Sequence, residues 1–396
     1  MLAIVGGKIY PVTAPVIEYG TVLVEGDKIA AVLPGRQVPA GAQVIDAAGM
    51  TVLPGFIDAH CHVGIVEEIY RQEGDDVNEV TDPLQPHLRA IDAINPADLA
   101  FADALAAGVT TVVVAPGSAN VLGGEMVALH TAGRSVEEML VKEPVGVKAA
   151  LGENPKRSYG GRSKAPATRM AAAALLREAL TGAASYLEKW QRFAAGQGEA
   201  PEKDLKKEAL ARVLRQEIPL RVHAHRADDI LTALRIAREF DIKLVIEHCT
   251  EGYKIADILA QHDVPTVIGP VITNRAKVEL KDISLAAAAR LEEAGVQFAV
   301  MTDHPVVPVQ YLALSAGLTQ RGGLSEAAAL AAVTIRPARI LGLEDRLGSL
   351  EVGKQADIVI MNGHPFDLCS QVVLVLINGR PVYNKDGLFE QGMISA

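Results

Sequence analysis

Two histidines separated by one residue close the run Pro54-Gly55-Phe56-Ile57-Asp58-Ala59-His60-Cys61-His62. Such an apolar run reads as a buried strand. Side chains alternate faces along a strand, so His60 and His62 point one way and Cys61 the other. Paired imidazoles on one rigid strand are half of a divalent-metal site. A lone pair of this kind carries little weight, but the chain repeats the arrangement. Ile218-Pro219-Leu220-Arg221-Val222 leads into His223-Ala224-His225, Leu244-Val245-Ile246-Glu247 into His248, and Val296-Gln297-Phe298-Ala299-Val300-Met301-Thr302 into Asp303. Four strand-like segments thus finish on metal-binding residue types at their C-terminal edge.

The other candidates sort by position. His225 shares a face with His223 but lies past the strand edge, which fits a substrate contact better than a ligand. His304 follows Asp303 and turns away from it. His87, His130, His262 and His364 have no such setting and read as surface or packing residues.

Composition narrows the class. The chain has 396 residues and a formal charge of −10, which argues against nucleic acid or an anionic membrane as the main partner. The expected partner is a small-molecule substrate, with self-association into a homo-oligomer left open. Three cysteines, Cys61, Cys249 and Cys369, make no spaced framework and read as reduced thiols. No secretory signal precedes Gly6-Gly7, and no apolar stretch approaches the roughly eighteen residues of a membrane span. The expected location is cytoplasmic.

The elements that must position these residues follow a clear rhythm. Residues 1–54 and the C-terminal region read as short strands and turns, with Gly26-Asp27 and Asn378-Gly379 as hairpin signals. Between them strands are expected at 56–62, 109–115, 145–151, 219–225, 243–249, 264–269 and 296–302. Helices are expected over Asp98–Ala107, Asp228–Phe240, Ile255–Gln261 and Leu285–Ala294, where apolar residues recur every three or four positions. This βαβα alternation predicts an α/β fold built on a parallel sheet, and an eight-stranded (β/α)8 barrel fits its length of about 290 residues better than an open sheet. Seven strands are clear, and the eighth is placed near Met126–His130. Residues 152–218 exceed an ordinary crossover and hold a loop, a helix over 168–193 and another over 202–215. Long loops on this face commonly form lids or substrate walls.

As a set, these motifs resemble the amidohydrolase superfamily, near its imidazolonepropionase-like and metallo-dependent hydrolase groups. Pro54-Gly-Phe-Ile-Asp-Ala-His-Cys-His, Ala107-Gly-Val-Thr-Thr-Val, the strands ending at His223 and His248, and Thr302-Asp303-His304 carry the likeness. So do Thr334-Ile-Arg-Pro-Ala-Arg and Gly348-Ser-Leu-Glu-Val-Gly-Lys-Gln-Ala-Asp. The resemblance implies a TIM barrel over 55–345 and a small β-sandwich formed by both chain ends, 1–54 and 346–396. It further implies one or two divalent ions, zinc foremost, held by His60, His62, His223, His248 and Asp303. Lys148 on the fourth strand resembles the lysine that, once carboxylated, bridges two ions in part of the superfamily; Glu153 is a weaker alternative ligand.

The activity implied is hydrolysis of a C–N amide bond. Metal-activated water attacks, Asp303 serves as general base, and His248 is a ligand and catalytic neighbour. Cytosine-deaminase-like and imidazolonepropionase-like members carry an acid three residues after the fifth-strand histidine, where this chain has Arg226, which lowers both of those readings. That departure favours amide hydrolysis, with a mononuclear deaminase or an N-acetyl deacetylase as the alternatives. Arg226, Arg275 and Lys156-Arg157 suit carboxylate recognition. The expected substrate is therefore an N-acyl amino acid, a dipeptide or a cyclic amide, contacted by His225, Arg226 and Arg275.

Overall fold

The computed structural model describes residues 1–69 and 72–387. Its strands are β1 (Leu2–Ile9), β2 (Ile17–Glu25), β3 (Lys28–Pro34), β4 (Gln43–Asp46), β5 (Thr51–Pro54), β6 (Phe56–Cys61), β7 (Val109–Val114), β8 (Leu122–His130), β9 (Leu140–Ala150), β10 (Leu220–Ala224), β11 (Leu244–His248), β12 (Thr266–Ile268), β13 (Phe298–Val300), β14 (Ile358–Met361), β15 (Val372–Ile377) and β16 (Arg380–Asn384).

Strands β6 to β13 stand side by side in chain order as an eight-stranded barrel sheet. Val109-Thr-Thr-Val-Val-Val in β7 is buried along its whole length, as a strand covered on both faces must be. The seam between the first and last strands is closed beyond the end of β13, where Asp303 N donates to His60 O at 3.2 Å and His62 N to His304 O at 3.0 Å. Asp58 reinforces it from inside by accepting from the Thr302 backbone N–H at 3.2 Å.

One strand departs from the expected parallel sheet. β8 runs antiparallel to both β7 and β9. A parallel return needs a crossover of about a dozen residues or more. The connections at 115–121 and 131–139 are shorter, so β7, β8 and β9 form a meander inside the barrel wall. The reversal carries the loop before β8, with Ser118, to the mouth where the other strands end.

The helices arise where capping and periodicity agree. Leu99–Ala106, Arg169–Ala194 and Leu205–Leu214 start behind Asp98, Thr168 and Asp204, whose side chains accept from backbone N–H groups of the first turn. Helix Ala227–Phe240 buries Ile230, Ala233, Leu234 and Ala237, a stripe of three- and four-residue spacing, against the barrel. The long helix within 152–218 is tied to it by the ion pairs Arg169–Asp229 and Arg177–Glu239.

Both chain ends meet in a second sheet of order β16-β15-β14-β5-β1-β2-β3, with β4 also paired to β1. β14 lies antiparallel to β5 and so joins the C-terminal strands to the N-terminal ones. Ile4, Val22, Ile29, Val52, Ile358 and Leu374 pack in its core. Among the described residues, no helix is long and apolar enough to cross a membrane.

Candidate metal centre

The barrel mouth gathers two groups of three metal-binding side chains, each with donor atoms within 4.8 Å of one another. The first is His60, His62 and Asp303. His60 Nε2 lies 3.5 Å and His62 Nε2 3.3 Å from the same Asp303 oxygen. Alternation along β6 places the two imidazoles together, with ring centroids 5.3 Å apart. His62 donates from Nδ1 to Ala115 O at 2.6 Å, which leaves its Nε2 lone pair free. Asp303 lies three residues past β13 with φ 56°, a left-handed conformation that aspartate tolerates better than most residues. Burial opposes ionisation of its carboxyl, but the facing imidazoles of His248, His60 and His62 hold it well below the usual carboxylate range.

The second group is His223, His225 and His248, with centroid separations of 4.6, 4.2 and 4.6 Å. His248 donates from Nδ1 to Gly269 O at 2.9 Å, and His225 Nδ1 meets Thr250 Oγ1 at 2.7 Å. The Nε2 atoms of both are buried and have no hydrogen-bond partner among the described residues. Burial holds all three imidazoles below their ordinary range, His225 at about 3, so each is neutral near pH 7 and offers a lone pair. Buried, neutral nitrogens facing one another, with those of His225 and His248 unpartnered among the described residues, are what a divalent cation requires. The residues present fit a metal.

His248 adopts φ 69° and Cys249 φ 49°. This break in the strand matters, because consecutive residues of a regular strand face opposite ways. Here Glu247 reaches His60 Nδ1 at 3.1 Å while the neighbouring His248 ring lies 5.6 Å from that same imidazole. Conformations of this kind cost on the order of 1–3 kcal/mol and gather at functional sites.

Lys148 is fully buried with Nζ 3.2 Å from His60 Nε2. Burial pulls its ammonium down to about 8, against the opposing charges of Glu247 and Asp303. A neutral amine is the form able to take up CO2.

The amidohydrolase family model matches residues 51–382. The chain belongs to the amidohydrolase family. An amidohydrolase of Thermotoga maritima MSB8, known by crystal structure, superposes with a TM-score of 0.94 at 44% identity, over 97% of this chain and 100% of that one. Amidohydrolase tasK of Hapsidospora irregularis is 31% identical over 392 residues, which cover 92% of this chain; the chain spans 40% of that relative's length. The imidazolonepropionase of Aromatoleum aromaticum is 31% identical over 349 residues, covering 83% of this chain and 81% of that protein.

Among the side chains singled out from the sequence of this amidohydrolase, His60, His62, Lys148, His223, His225, His248 and Asp303 converge at one mouth. The arginines do not join them. Arg226 is half-exposed and makes two bonds of 2.9 Å to Asp228. Arg275 is exposed and donates to Lys281 O at 3.0 Å. The cation whose charge reaches His223, His225 and Lys148 is Lys277. His304 faces away as expected, buried with Nδ1 accepting from Val309 N. A cleft of about 570 Å³ lined by Lys142, Pro144, Pro219 and Pro265 sits at the opposite end of the barrel, away from the imidazoles.

Sequence reasoning missed several buried polar groups. Arg221 donates from Nε to Glu247 at 2.5 Å and from Nη2 to Ala59 O at 2.9 Å. Gly146 makes room for it, since a Cβ there would lie 2.8 Å from Arg221 Cγ and Cδ. Burial alone would raise the Glu247 carboxyl, but Arg221 and His60 bring it down to about 2. Ser118 Oγ contacts His223 Nδ1 at 2.9 Å, and the Asn154 amide contacts His223 Nε2 at 3.3 Å. Glu279 also faces this group. Charged residues inside the apolar runs 220–224 and 244–248 were the visible signal for Arg221 and Glu247; the polar loop around Glu279 carried none.

Proposed function

We propose that this protein is a metal-dependent hydrolase of C–N amide bonds, acting on an N-acyl amino acid, a dipeptide or a cyclic amide. The convergence of His60, His62 and Asp303 with His223, His248 and Lys148 at one barrel mouth carries this reading. A divalent ion held by these residues, zinc by the N and O character of the donors, would supply a water of lowered pKa, about 7, and polarise the scissile carbonyl.

The protein's own groups do the rest. Asp303 is ionised at neutral pH and shares one oxygen between His60 and His62, which orients its other oxygen as a proton acceptor. It takes the proton of the attacking water and returns it to the leaving nitrogen. Glu247 sets its carboxylate 3.1 Å from the Nδ1 edge of His60, opposite the Nε2 that faces Asp303. Lys148, with Nζ 3.2 Å from His60 Nε2, would join the two groups once carboxylated. Lys277 supplies the positive field for a substrate carboxylate, the part first assigned to Arg226 and Arg275.

No acid occupies position 226, and Arg226 is held by Asp228, which favours amide hydrolysis over deamination. The test is a screen of zinc-loaded protein against N-acyl amino acids, dipeptides and cyclic amides, reading amine, acetate and ammonia release separately. Release of an amine or an opened ring supports the proposal. Ammonia from aminated heterocycles alone, with no amide cleaved, refutes it.

A further inference from the structure

A lysine-bridged pair of ions needs two imidazoles from β10 and β11, yet three meet there, and a carboxylate stands beside them. Glu279 follows β12 and is buried, with its side chain 1% exposed. Its Oε2 accepts from Glu153 N at 3.1 Å, at the start of helix Glu153–Gly160. Gly152, at φ 85°, permits this approach, since a Cβ there would come within 2.9 Å of Oε2. One oxygen is therefore anchored. The other, Oε1, has no hydrogen-bond partner among the described residues and lies 3.6 Å from His225 Nε2 and 3.9 Å from His223 Nε2.

We infer that His223, His225, His248 and Glu279 form a four-donor cation site of their own, three nitrogens and one oxygen, that holds its ion without Lys148. The inference rests on the reading that metal occupies this mouth. It departs from that reading at two residues, because His225 becomes a ligand and Glu279 provides the anionic donor.

The spacing supports it. Four donors at about 2.0–2.1 Å from a tetrahedral ion lie roughly 3.3–3.4 Å from one another. Glu279 Oε1 stands 3.6 and 3.9 Å from His225 and His223, while the mutually close donors are the three imidazoles alone, so ligation requires the carboxylate to turn further toward His248. The chemistry matches as well: three neutral imidazoles and one carboxylate are a donor set suited to zinc. The Nδ1 atoms of His225 and His248 are already engaged by Thr250 and Gly269, which fixes the rings with Nε2 inward. Lys148 contacts His60 in the other group. Each group thus has its own carboxylate, Asp303 in one and Glu279 in the other. The Asn154 amide, now against His223 Nε2, is the group an arriving ion would displace.

The test is metal content and anomalous diffraction at the zinc edge on full-length protein loaded with zinc alone. Lys148→Met, and wild type prepared in CO2-free buffer, should keep the peak among His223, His225 and His248. Glu279→Gln, nearly isosteric, and His225→Ala should weaken zinc at that position by roughly a hundredfold or more while the peak at His60, His62 and Asp303 stays. Full retention of both ions in Glu279→Gln overturns the site, including the case where that variant has merely lost turnover. Loss of the peak in Lys148→Met overturns it too, as does a wild type with no zinc there. A loaded second site in a protein that cleaves no amide would count against the proposed reaction and leave this site standing.

Discussion

Glu247 lies 3.1 Å from His60 Nδ1 although the two residues sit on strands that are not neighbours in the barrel. The contact crosses the barrel interior, and Arg221 completes it from the other side of the carboxylate. This buried Arg221–Glu247–His60 row sits directly beneath the candidate metal centre.

Breaking the row should be costly. Glu247→Gln leaves Arg221 as a buried charge without a counterion, and loss of about 3–5 kcal/mol is expected in urea unfolding of metal-free protein. The double variant Arg221→Met/Glu247→Leu should recover most of that stability and still bind metal more weakly. If Glu247→Gln alone unfolds at the wild-type urea midpoint, the row contributes nothing to the fold.

Asp303→Asn should keep most bound zinc yet lose several orders of magnitude in turnover, because the amide can still face His60 and His62 but cannot accept a proton. Single-turnover measurements on the metal-loaded variant decide this. Activity at the wild-type level would remove Asp303 from the role of base.

Acid should destabilise the metal-free protein in a defined window. Burial lowers His304 from 6.5 to about 4, so between those values the unfolded chain binds a proton that the folded one refuses. Stability contributed by this residue is complete above pH 6.5 and falls as the pH drops toward 4, by roughly 3 kcal/mol in all. Urea midpoints of wild type and His304→Gln, compared across pH 4–7, should show a shallower acid slope in the variant. Equal slopes would contradict the assignment.

Arg226→Ala should change kcat/KM by less than about threefold, since its guanidinium is spent on an exposed pair with Asp228. Lys277→Ala should raise KM for amides bearing a carboxylate and leave uncharged amides unaffected. A large effect at Arg226 and none at Lys277 would restore the assignment made from sequence.

Thiol chemistry offers a check on packing. Cys61 and Cys249 are buried, with burial pushing the Cys249 thiol up to about 12, whereas Cys369 is exposed. One thiol per chain should react with a colorimetric disulfide reagent at pH 8 in native protein, and three after denaturation. Fast reaction of two or more native thiols would show that the strand ends are open.

Much of this was legible because the relevant signals are local. The His60-x-His62 spacing is a statement about strand alternation, and Asp98, Thr168 and Asp204 cap helices by bonds to N–H groups two or three residues ahead. The direction of β8 was not legible, since a strand's own side-chain pattern reads the same either way and only the short connections betray it. Arg221 and Glu247 find each other across 26 residues, which no local pattern encodes. Arg226 shows the opposite failure: a charge beside a ligand invites a substrate role, but Asp228 two residues away claims it first.

The reversed strand has a practical consequence for anyone modifying this molecule. Because β8 descends where its neighbours climb, the chain passes Ser118 on entering it and leaves it beside Thr111, near the foot of the wall. Arg134, Glu137 and Glu138 are exposed on the connection after β8, so a tag, a fluorophore or a surface anchor grafted at them sits at the end of the barrel away from the imidazoles. The seven residues at 115–121 border the imidazoles instead, with Ser118 against His223, and are the segment to vary when reshaping that mouth.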